Sequence, residues 1–154
     1  MGARFQPGSS DLTGSEVPVR SVFELEGRVI KDGQAVGEAL VSREPISFLG
    51  GVNPVTGVVV EPGHELEGRS IVSKILVFPT GKGSTVGSYT LYRLARAGLA
   101  PAGIINAESE PIVAVGAIIS DIPMVDQVDI NCIRSGDRVS INGGRIRVER
   151  TGFS

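Results

Sequence analysis

The chain has 154 residues, 41% of them hydrophobic and 21% charged, with a formal charge of −2 from 15 basic and 17 acidic side chains. That length and apolar content suit one domain with a real core and exclude wholesale disorder, which requires low hydrophobicity and high net charge. The charge balance excludes a basic field for nucleic acid. One cysteine, Cys132, excludes an internal disulfide framework and any cysteine-ligated cluster or structural zinc held by this chain alone.

Glycine numbers 21, about twice the usual ~7%, which points to turns and close backbone approaches. Residues 1–21 mix Gly, Ser, Pro and scattered charge and read as a flexible N-terminal tail ahead of one domain over 22–154. No apolar h-region of a signal peptide occurs there. The longest apolar run, Ile112–Ile119, is too short to span a bilayer, so a soluble cytoplasmic protein is expected.

From Ser21, the residues Phe23, Leu25 and Val29 alternate with Glu24 and Glu26 at the period of a half-buried strand. Lys31-Asp32-Gly33 predicts a turn of hairpin type, with a returning strand over Ala35–Val41. The stretch Glu44–Gly68 is rich in turn pairs yet carries Ile46, Phe48, Leu49 and Val52. A loop of that length inside a compact domain is usually functional or disordered, and its apolar content argues against disorder. Ser70–Phe78 reads as a strand whose second half, Ile75–Phe78, is apolar throughout, as in a strand covered on both faces.

The glycine loop 79–84 (PTGKGS) follows, then a switch of period. Leu91, Leu94, Ala95 and Gly98 form a helical stripe over 85–97, with Ser84 or Thr85 as cap and Gly98 as the stop. Ala102–Asn106 reads as a short strand. Ser109 caps a second helix that has Pro111 in its first turn and runs to about Ile119. Pro123–Val125 is a strand, and Arg134–Val148 a hairpin turning at Asn142-Gly143-Gly144. A βαβαβ centre between β-rich ends predicts an α/β fold with a partly parallel sheet.

The sharpest chemical feature is this strand, glycine loop and helix start. Backbone N–H groups at a helix start are unsatisfied and favour anions, and Ser84 stands among them. The spacing fits neither a P-loop nor a dinucleotide-binding fingerprint. An ordinary strand–helix turn with Ser84 as cap stays open on local pattern. Gly50-Gly51 suggests a backbone packed against something, either a buried loop or a face for substrate or partner. His64 lies beside Pro62-Gly63, which marks an exposed turn, and has no second histidine for a metal site. Cys132, flanked by apolar residues, reads as a buried inert thiol. Asp126 and Asp129 read as residues of a solvated loop.

Taken together, Glu44–Ile71, Ile75–Tyr89, Leu99–Val125 and the final hairpin resemble one family, the small subunits of the aconitase X group, to which those of the archaeal phosphomevalonate dehydratases belong. The resemblance covers about residues 22–149. It implies the swivelling β/β/α domain of aconitases, with a mixed or barrel-like β core and two or more flanking helices. It implies a heteromeric hydro-lyase that converts (R)-5-phosphomevalonate to trans-anhydromevalonate 5-phosphate in an archaeal mevalonate pathway. A large subunit would then carry an iron–sulfur cluster, of [4Fe-4S] type, and no activity is expected from this chain alone. The family's proton-accepting serine falls on Ser84, within Gly81-Lys82-Gly83-Ser84. Lys82, Gly83, Thr85, Ser88, Gly50 and Gly51 are the residues expected to line the substrate, with no metal ligand in this chain.

Three rivals are weighed against that reading. A related aconitase X dehydratase would act on cis-3-hydroxy-L-proline. A phosphohistidine-carrying swivel domain would need a histidine before the helix, where this sequence has Ser84. A non-catalytic docking module would tolerate loss of Ser84.

Overall fold

The computed structural model describes residues 18–153. It contains β1 (Pro18–Glu26), β2 (Arg28–Lys31), β3 (Gln34–Val41), β4 (Ile75–Phe78), α1 (Gly87–Arg96), β5 (Gly103–Asn106), α2 (Pro111–Ser120), β6 (Met124–Asp126), β7 (Arg138–Asn142) and β8 (Arg145–Phe153). Strand β1 starts at Pro18, three residues ahead of the expected Ser21. The rest of the expected tail, residues 1–17, lies outside the described residues.

All eight strands form one mixed sheet in the order β1-β8-β7-β3-β4-β5-β6-β2. The pairs β3–β4, β4–β5 and β5–β6 are parallel and the others antiparallel. Strands β1 and β2 occupy opposite edges of this order, yet Gly27 alone separates them. The sheet is therefore curled until its two edges meet at that glycine, whose N–H donates to Gly144 O at 2.9 Å. Only glycine fits, because a Cβ there would overlap Asp126 O and lie 2.6 Å from the methyls of Val125 and Val128. The expected single first strand is in this way split into two.

Alternation along the central strands serves two cores. Ile75 and Val77 of β4, Ile105 of β5 and Val125 of β6 point into the curl, with Val139, Ile141, Ile146 and Val148. Leu76, Phe78, Ile104 and Met124 point outward beneath the helices, with Leu91, Leu94, Val113 and Ala117. Burial on both faces explains why these strands carry unbroken apolar runs. The long stretch after β3 belongs to the outer core. Its Ile46, Phe48, Val52, Val59 and Leu66 are buried, and the Phe48 and Phe78 rings meet edge to face at 6.3 Å.

Two expectations are corrected by long-range pairing. Strands β2 and β3 flank the Asp32-Gly33 turn but do not pair as a hairpin; β2 joins β6, and β3 joins β4 and β7. The strand expected over Ser70–Phe78 exists only from Ile75. Ile71 plugs the outer core with its N–H on Gly57 O, and the chain turns at Ser73, where φ is +60°. The helix ends also differ. Position Val86 precedes α1 without a side-chain cap, whereas Glu110, not Ser109, caps α2 by accepting from the N–H of Ile112 and Val113. Gly98 does stop α1, at φ +76°, with Gly98 N–H on Ala95 O and Leu99 N–H on Leu94 O, a Schellman ending.

Candidate functional site

The loop after β4 is gripped from below. Asn106, fully buried at the end of β5, donates its amide to Phe78 O at 3.0 Å, and the N–H groups of Ala107 and Glu108 converge on Pro79 O. The next residues pair with the stretch after β3 through a parallel bridge at Ile46 and Gly81. There Ile46 N–H donates to Thr80 O and Lys82 N–H to Ile46 O. Glycine is required twice here. A Cβ on Gly81 would overlap the Glu110 carboxylate and Val113. Gly83 holds φ +104°, and a Cβ on it would lie 2.5 Å from Ser47 Oγ.

Ser84 is exposed at the tip. Its Oγ accepts from Val86 N–H at 3.2 Å and its carbonyl from Gly87 N–H at 2.9 Å. The N–H groups of Val86, Gly87, Ser88 and Tyr89 are thus all used in tight turns. The cradle expected at the helix start moves one step earlier. Among the described residues, the N–H groups of Gly83, Ser84 and Thr85 have no acceptor, so three consecutive donors at the serine are left unbonded. Apolar Leu49, Val86 and Tyr89, 43%, 49% and 67% exposed, rim the loop.

The other expected residues divide. Lys82 and Gly51 share one neighbour: Lys82 Nζ lies 2.9 Å from Glu61 Oε2, and a Cβ on Gly51 would lie 3.4 Å from Glu61 Oε1. Gly51 also lacks space toward Ser47 O, whereas Gly50, at φ +82°, faces open space. Thr85 is exposed. Ser88 turns toward α2 and donates to Ile112 O at 2.7 Å. Ser47, Glu61, Asn106 and Glu110 were not singled out from the sequence as parts of this site. Each reaches the loop through tertiary contact, and no local pattern announces it. A cleft of about 570 Å³ lies beyond Pro79, lined by Ser42, Arg43, Glu65, Ala107 and Arg134 among others; none of the expected site residues lines it.

Three residues read as bland from the sequence are placed differently. His64 is buried, its side chain 1% exposed. Its Nδ1 accepts from Leu66 N–H and its Nε2 donates to Pro45 O at 3.0 Å. The Pro-Gly beside it marks a turn, but the ring is folded inward to fasten the segment before Ile46. Asp126 is fully buried rather than solvated, held bidentately by Arg28 at 2.9 and 2.8 Å and by Ser109 N–H at 3.0 Å. The Arg28 hydrogen bonds, working against burial, hold its carboxyl at about 2. Cys132 is half-buried with its thiol 3.6 Å from Asp129 Oδ2. Burial pushes that thiol up, which keeps it protonated.

The residues present do not fit a metal cluster. Cys132 is the one cysteine of the sequence, and among the described residues no three His, Cys, Asp or Glu side chains gather closely enough to hold a metal ion. No helix among the described residues is long and apolar enough to cross a membrane.

Comparison with known proteins adds an independent line. The family profile described as the aconitase X swivel domain matches residues 24–150. The phosphomevalonate dehydratase small subunit of Methanosarcina acetivorans is 56% identical over 130 residues, covering 82% of this chain and 90% of that one. The protein of the same name from Thermococcus kodakarensis is 54% identical over 127 residues, covering 82% and 96%. The crystal structure of Thermococcus kodakaraensis aconitase X in its holo-form superposes with a TM-score of 0.80 at 53% identity, covering 81% of this chain and 97% of that one.

Proposed function

The chain belongs to the aconitase X swivel-domain family, and we infer that it is the small subunit of a phosphomevalonate dehydratase, a hydro-lyase completed by a large subunit. The observation that carries this is the identity of 56% to a small subunit of that name over 90% of its length. The matched region, 24–150, includes the whole Ser84 loop. The reading takes residues 22–154 as one swivel domain. It takes (R)-5-phosphomevalonate as substrate, with trans-anhydromevalonate 5-phosphate as product. The [4Fe-4S] cluster is assigned to the large subunit, because the sequence has one cysteine and the described residues gather no set of metal ligands.

In this reading the Ser84 alkoxide, its own proton given up to solvent, takes the proton on the carbon next to the substrate carboxylate and returns to a hydroxyl, while the C–O bond on the neighbouring carbon breaks and the double bond forms. Removing that proton drives negative charge onto the carboxylate. The N–H groups of Gly83, Ser84 and Thr85, without acceptors among the described residues, are donors available to charge developing there. A hydroxyl gives up its proton reluctantly in water, so the alkoxide depends on hydrogen-bond donors beside it, whose effect strengthens where a covering subunit excludes water. The exposed Leu49, Val86 and Tyr89 around the loop offer the apolar rim that a covering subunit would need. Gly51, Gly83 and Lys82 shape the approach, while Gly50 and Thr85 stand open beside it. Ser88, bonded to Ile112 O, supports the geometry of the two helix starts.

The test is a dehydration assay of the two-subunit enzyme, purified without oxygen, on (R)-5-phosphomevalonate. Water loss requiring both chains is expected. Ser84→Ala is expected to lower kcat by ~10²–10⁴, the usual worth of a positioned base, with the complex still assembled. Full turnover by that variant removes the serine from its role. Activity on cis-3-hydroxy-L-proline instead moves the substrate assignment to the related dehydratases.

A further inference from the structure

We propose that Glu61 is a positioning residue for Ser84, acting through Lys82: it fixes the glycine loop and cancels the ammonium charge two residues before the base. This rests on the reading of Ser84 as proton acceptor.

Three contacts carry the inference. Glu61 Oε2 lies 2.9 Å from Lys82 Nζ, across a separation of 21 residues. Its Oε1 stands over Gly51, at 3.4 Å from the position of the missing Cβ, so the same carboxylate touches both loops. The backbone beneath is fixed by Val60 N–H donating to Gly51 O at 2.9 Å. A part-exposed pair of this kind contributes little to stability in water, so a structural tie alone does not explain a pair on the residue two before the serine. Its electrostatic effect is specific. An unpaired ammonium two residues before Ser84 would favour the alkoxide and weaken it as a base, and a paired one does so far less. Covering by the large subunit lowers the dielectric and strengthens both the pair and its effect.

Few other charges face the loop. Glu110, from the start of α2, is committed to the N–H groups of Ile112 and Val113. Glu108 lies in the turn after β5, with its N–H on Pro79 O. The stretch 46–53 carries no charged side chain, and the first turn of α1 offers only the Tyr89 phenol as a titratable group.

The experiment is the pH dependence of kcat/KM for the assembled two-subunit enzyme, whose acid limb reports the base of the free enzyme. Glu61→Gln leaves Lys82 uncompensated and is expected to move that limb to lower pH by ~0.5–1 unit. Lys82→Gln leaves Glu61 uncompensated and is expected to move it to higher pH. The exchange Glu61→Lys with Lys82→Glu is expected to restore the wild-type limb. A merely structural tie lowers kcat/KM at every pH and leaves the limb in place. That result, in whichever of the three variants assemble, overturns the proposal. Turnover by Ser84→Ala overturns the serine reading instead. An inactive Ser84→Ala with unmoved limbs defeats the Glu61 inference alone.

Discussion

At the scale of single residues, Asp126 shows how much a buried carboxylate depends on partners far away in the chain. Its unfolded carboxyl titrates near 3.8 and its folded one near 2. The stabilisation is therefore complete above about pH 4 and is lost as pH falls toward 2; the shift corresponds to about 2 kcal/mol. Thermal melts from pH 6 to 2 are expected to show this loss, and Asp126→Asn to flatten that part of the profile while lowering the melting temperature at neutral pH. A variant with unchanged acid dependence would count against the ion pair. Sequence reasoning placed Asp126 in a solvated loop because its partner Arg28 is 98 residues away. It placed His64 outside because Pro-Gly marks a turn, and a turn can still fold its side chain inward. The strand, glycine turn and helix start that carry Ser84 were legible because their signals are contiguous. Glu61 was not, because its contact with Lys82 exists only after folding.

At the scale of elements, the two helices show which end signals the sequence carries. Gly98 was readable as a stop because only a positive φ allows the Schellman ending. The starts were misread by one or two residues, since Ser, Thr and Glu compete for the same orphan N–H groups. Glu110 wins at α2, where it also fills the space beside Gly81. Glu110→Ala is expected to cost about 1 kcal/mol of stability, read as a lower urea midpoint. It is also expected to raise amide exchange in Ile112 and Val113. Unchanged exchange there would rule out the cap. The expected strands follow the apolar runs well in the parallel centre, where both faces are covered. They fail at Asp32-Gly33, where the local turn signal is right but the partner of each flanking strand lies elsewhere.

At the scale of the molecule, the curl of the sheet is set by pairings that no local pattern encodes. Strand β1 pairs with β8 from Pro18↔Phe153 to Glu26↔Arg145, while β2, one glycine later, pairs with β6. A chain truncated after Asn142 loses β8 and with it Ile146 and Val148 of the inner core. It is expected to be digested by protease at low concentration where the full chain resists. Resistance in the truncated chain would show that the curl closes without β8.

The meeting of the edges at Gly27 also sets a schedule. A ribosome makes β1 well ahead of its partner β8, so β1 must wait while all the strands between them are made before it can pair. Loop closure over such a distance is slow, and an unpaired edge is exposed while it lasts. The time for which that edge stays open to wrong partners is therefore set by the chain's own synthesis, and it ends only when β8 is released.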